Sequence, residues 1–87
     1  MEDQPLSTSL FISLVYSLNL TALQQLGVAR NPFTGNKEID IESARVTLDL
    51  LQMLVTKTKN NLNPDEDHFL QDILSQLEQI IEQKPQP

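Results

Sequence analysis

From Gln4 to Ala29 the chain carries no charged side chain. The whole protein has 87 residues, 12 acidic against 6 basic side chains and a formal net charge of -6. A neutral run of this length in so acidic a chain limits the fold more than any other feature. Its heart, "LSTSLFISLVYSLNLTALQQLGV" from Leu6 to Val28, can cross a membrane, fill a core or hold a partner. A spanning helix needs about 20 mostly apolar residues. From Leu10 to Val28 only 12 of 19 are apolar, and Asn19, Gln24 and Gln25 interrupt them. A secretory signal opens on a basic region, whereas this chain opens Met-Glu-Asp-Gln-Pro. The run is therefore expected neither to span a membrane nor to act as a secretory signal.

At this length the expectation is a single domain, residues 1–87, whose core is thin relative to its surface. There is no cysteine, so neither a disulfide nor a thiolate metal site can brace it. Binding to nucleic acid rests on Lys and Arg neutralising phosphate. From Asp65 onward there are six acidic residues and one lysine, which repel it instead. Two glycines and four aromatics (Phe11, Tyr16, Phe33, Phe69) argue against a turn-rich β fold and against base stacking.

Three helical patterns emerge from the hydrophobic periodicity, over about 7–26, 41–59 and 64–83. Gly27 stops the first. Asp40 caps the second, which starts acidic and ends in Lys57 and Lys59, as the helix dipole favours. The third opens at "NPDED", with Asn63 as N-cap, Pro64 at the first position and Glu66 completing a capping box. "KPQP", residues 84–87, reads as a frayed tail. A connection of about four residues makes the second and third helices an antiparallel hairpin. The loop 27–40 is longer and contains "NPFTG", with turn chemistry at Asn31-Pro32-Phe33 and Gly35. A short β-like excursion beside it is open. The pentapeptide looks like a sortase sorting signal, but a capped amphipathic helix follows it where a hydrophobic tail is needed. It is read as a turn.

"NPFTGNKEIDIESARVTLDLLQMLVTKTKNNLNPDEDHFL" resembles the middle of a small bacterial family catalogued as domain of unknown function 1844. The likeness lies in the neutral Ser/Leu-rich first helix, the N-P-x-T-G turn before a K-E-hydrophobic-D stretch, and a helix reading T-x-D-L-L-x-M-L-x-x-K-T-K. It covers about residues 11–74. Where the family usually has a glycine after K-T-K, this chain has Asn60, which also tolerates a left-handed cap. The final helix lacks the arginines and aromatics usual there. The resemblance implies a short all-α bacterial cytoplasmic protein and names no activity.

On a 100° wheel the third helix is one-sided, with Phe69, Leu70, Ile73, Leu74, Leu77, Ile80 and Ile81 together. The second has a core stripe (Ile41, Ala44, Leu48, Leu51, Val55) and a further strip on the far side, Val46, Leu50 and Met53. The first is apolar over about 200°, through Phe11, Ile12, Val15, Tyr16, Leu18, Leu20, Ala22, Leu23 and Leu26. Opposite runs a ladder of small polar residues, Ser9, Ser13, Ser17 and Thr21, flanked by Leu10 and Leu14. Small residues at every fourth position let helix backbones approach closely. A solvated face would carry Lys or Glu, and this one carries neither. Asn19 lies within the apolar arc, where it either fixes helix register or bonds a local carbonyl.

Catalytic chemistry is sparse. His68, with Asp65 and Asp72 at i-3 and i+4, can share a helix face suited to a divalent metal. Three ligands on one helix leave little preorganisation, so the histidine reads as solvated. No thiol, activated hydroxyl or phosphate loop is present. The expectation is an all-α domain of three helices, a helical hairpin plus a neutral N-terminal helix. It is expected to be no enzyme and to use no cofactor or metal. Its expected role is that of an interaction module that self-associates, a dimer first, or binds a helical partner. The expected surface is Ser9, Leu10, Ser13, Leu14, Ser17, Thr21, Val46, Leu50 and Met53. The alternative is a membrane-peripheral protein anchored in the bilayer interface by its first helix.

Overall fold

The computed structural model describes residues 6–84. Gln4 and Pro5 of the neutral run, and Pro85 to Pro87 of the expected tail, lie outside the described residues. Three helices make up the fold: α1 (Leu6–Gln25), α2 (Ile41–Lys57) and α3 (Pro64–Gln83). Each packs on both others, so the architecture is all-α. The connections make α2 antiparallel to both neighbours, and α1 and α3 run in the same direction.

Local chemistry sets each boundary. The Asp40 carboxylate accepts the Ser43 N–H at 3.1 Å and the Ser43 hydroxyl at 2.7 Å, starting α2. At α3 the Asn63 side chain accepts the Glu66 N–H at 2.8 Å, and the Glu66 carboxylate accepts the Asn63 N–H at 2.9 Å. That closes the capping box and gives the buried Glu66 carboxylate a backbone partner. α2 stops at Lys57, short of the expected Lys59. There the Thr58 hydroxyl and N–H both turn back to the Leu54 carbonyl. Asn60 then takes φ 69, the left-handed conformation that fits a Gly or Asn. Gly27 ends α1 with φ 76, and a Cβ there would lie 2.7 Å from Ile39 Cγ1. The expected β-like excursion is a single antiparallel bridge, Leu26 to Ile39.

The core joins Val15, Ala22 and Leu26 to the stripe of α2 and to Leu70, Ile73, Leu74, Leu77 and Ile81 of α3. Polar bonds tie the helices at both ends. Near its start, the Thr8 hydroxyl accepts from Asn63 Nδ2 at 3.2 Å. Near its end, Gln25 Oε1 accepts from the Thr47 hydroxyl at 2.7 Å. Between α2 and α3, Gln52 donates to Glu78 at 3.1 Å.

The wide apolar arc of α1 is not all core: Tyr16 and Leu20 are exposed. The buried positions Thr8, Val15 and Ala22 are seven apart, with Phe11 and Leu18 half-buried between them. This is a narrow a/d seam of the coiled-coil kind, which leaves most of a helix's circumference outside.

Candidate functional site

The seam leaves a broad outer surface on α1. Ser9, Ser13, Ser17 and Thr21 are all exposed, with Leu10 62% and Leu14 46% accessible beside them. At 100° per residue, two rows of larger side chains wall this ladder. Leu6, Leu10 and Leu14 flank its N-terminal half on one side, and Tyr16 and Leu20 flank its C-terminal half on the other. Small side chains beside these apolar rows leave a shallow step along the helix, the shape that accepts a ridge from another helix. α1 itself contributes no charge to this surface, and Asp65 of α3 stands beside Ser9 and Ser13 at its N-terminal end.

On α2, Val46 is 59% exposed and Leu50 and Met53 are 42% exposed. They sit about 180° from the buried stripe. The two sets of sequence-predicted residues therefore point away from the core on different helices and do not merge into one patch. Asn19 is half-buried beside the seam.

Among the described residues α1 alone is long and apolar enough to cross a membrane by length and composition. Little of it is covered by the rest of the fold. The candidate metal triad is not assembled: His68 pairs with Asp72 at 3.1 Å, and both are exposed. Among the described residues no cluster of three or more His, Asp or Glu is placed to hold a metal ion.

Sequence reasoning missed one prominent side chain. Phe33 is 95% exposed at the tip of the Asn31–Asn36 turn. The signal was present in "NPFTG", since Phe33 sits within a Pro/Gly turn and connecting turns run over the surface. Leu6, Tyr16 and Leu20 of the α1 surface were also missed, because apolar residues on a wide arc look alike until a neighbour selects the seam.

The family profile described as Domain of unknown function (DUF1844) matches residues 8–80. The chain belongs to the DUF1844 family. The match takes in most of α1 and α3, all of α2 and both connections, so it covers the three-helix fold rather than one element of it. No curated protein and no solved structure matches this DUF1844 chain.

Proposed function

We propose that this DUF1844 protein is a non-enzymatic interaction module of the bacterial cytoplasm that self-associates through the outer face of α1. A two-copy assembly is the simplest form, and a helical protein partner on the same face is the variant of that reading. One observation carries it: five large apolar side chains, Leu6, Leu10, Leu14, Tyr16 and Leu20, stand exposed on a charge-free helix. Monomers rarely leave so continuous an apolar surface in water. The strip Val46, Leu50 and Met53 offers α2 a second, smaller contact.

Ser13→Glu with Ser17→Glu tests this reading. Facing glutamates would repel across a two-fold pairing, while the seam residues stay untouched. On size exclusion at low salt the double variant elutes as a single copy with unchanged helicity. A double variant that assembles like the wild type would defeat the proposal.

A membrane-peripheral reading is favoured by the length and apolar character of α1. Against it, interfacial helices carry Lys and Arg on the polar face. α1 has none, and the net charge of -6 opposes anionic lipid. Flotation with zwitterionic vesicles separates the two: the protein stays with the soluble fraction if α1 meets protein.

A further inference from the structure

Two features at opposite ends of α1 complement each other. At its C-terminal end, the Asn31–Asn36 turn is pinned by its own hydrogen bonds. The Phe33 N–H donates to Asn31 Oδ1 and the Gly35 N–H to the Asn31 carbonyl, each at 2.8 Å. The Asn31 N–H donates to the Asn36 carbonyl at 2.8 Å, and the Arg30 guanidinium to the Gly35 carbonyl at 3.0 Å. Phe33 is thus presented on a preorganised loop, which loses little freedom on docking. Arg30 and Lys37 flank it and are the only charges between Gln4 and Lys37. Glu38 and Asp40 follow directly, so the positive charge is confined to residues 30–37. The turn suits an apolar groove edged by a carboxylate.

Such a groove lies at the other end. Thr8, Ser9, Ile12 and Ser13 of α1 and Asp65 of α3 line an open space of about 470 Å³. A copy's own Phe33 cannot reach it, since α1 is about 30 Å long. A second copy's can.

Building on the self-association reading, we propose that two α1 helices pair antiparallel, each copy docking Phe33 in the other's Ser9–Ile12–Asp65 groove. A two-fold axis across α1 exchanges its ends. Turn then meets groove twice, and the assembly closes. Parallel pairing would set the two cationic turns side by side. It would also align the uncompensated dipoles of both α1 helices. Area points the same way. One helix face about 30 Å long and about 10 Å wide falls short of the ~800 Å² per partner of a standard interface. Two docked turns add what the helix lacks.

Sedimentation equilibrium of the full chain tests this. Phe33→Ala is expected to weaken the dimer about tenfold or more, as loss of a buried aromatic anchor does, with helicity unchanged. Arg30→Glu and Asp65→Lys each weaken it, and combined they restore it. Three results overturn the docking. One is a Phe33→Ala dimer within about twofold of the wild type, since tenfold corresponds to only about 1.4 kcal/mol. Another is no mutual rescue by the charge swap. The third is a ready disulfide between two Phe33→Cys copies, which signals parallel helices. If Phe33→Ala leaves assembly intact while Ser13→Glu with Ser17→Glu abolishes it, α1 pairing stands and only the docked turn falls. A wild type of single-copy mass at high micromolar concentration removes both.

Discussion

The first and third helices each have 20 residues and pack on the same second helix, yet they meet water in opposite ways. α3 buries Leu70, Ile73, Leu74, Leu77 and Ile81 on one side and turns Asp65, Asp67, Asp72, Glu78 and Glu82 outward. Its start is fixed by Asn63 and Glu66. α1 buries Thr8, Val15 and Ala22, and its outer side carries Leu, Tyr and Ser without one charge. Helix length and packing neighbour do not explain the difference. α3 is complete as an outer helix, whereas α1 has one seam satisfied and a second apolar surface still uncovered.

Core truncation should separate the two helices most. Leu77→Ala removes a wholly buried side chain and is expected to cost about 2–5 kcal/mol. Leu14→Ala, on the outer face of α1, should change the stability of a dilute monomer by under about 0.5 kcal/mol. Thermal melts at low protein concentration measure both. Equal losses would mean that Leu14 is already covered within one copy.

The two glycines of the first loop come next. Gly27→Ala forces a left-handed Cβ against Ile39 and should cost about 1–3 kcal/mol. Gly35 has φ 73 with nothing near its Cβ position, so Gly35→Ala carries only the backbone part, about 1–2 kcal/mol. Urea midpoints that rank them in reverse would contradict the Leu26–Ile39 bridge.

Asn63→Ala removes the cap of α3 together with its bond to Thr8, at about 0.5–2 kcal/mol. Thr8→Ala on α1 removes only the second of these and should cost less. If both variants melt alike, the cap contributes nothing beyond the link to α1.

The smallest effect concerns pH. The Ser43 hydroxyl, and then its N–H, hold the Asp40 carboxyl below its ordinary range. A carboxyl depressed in the folded state adds stability above its unfolded pKa of about 4. That contribution disappears as pH falls through the lower folded value. The start of α2 should therefore weaken only in strongly acidic solution, and Asp40→Asn should flatten that part of the pH profile. Identical profiles for wild type and variant would show that the cap does not couple to folding.

α3 and the start of α2 were legible because their signals are local: Asn-Pro-Asp-Glu and Asp-x-x-Ser act within one turn of chain. The left-handed residue at Asn60 was suggested by the family resemblance, in which a glycine is usual there. The seam of α1 was not legible. Tyr16 and Leu20 differ from Leu18 and Leu23 only in which helix stands opposite, and that is decided by the whole bundle. Thr8 and Thr47 were passed over as polar, although each finds a hydrogen-bond partner across a helix interface. Phe33 was read as part of a turn, without asking what the turn presents.

Everything particular to α1 converges on whether its outer face is covered in solution. Sedimentation equilibrium of the untagged wild-type chain, from low to high micromolar concentration, tests this without any mutation. A mass rising to twice that of the 9.9 kDa chain is the predicted result. A single-copy mass across the whole range, with no binding of an apolar dye, would mean that α1 meets water as comfortably as α3 does.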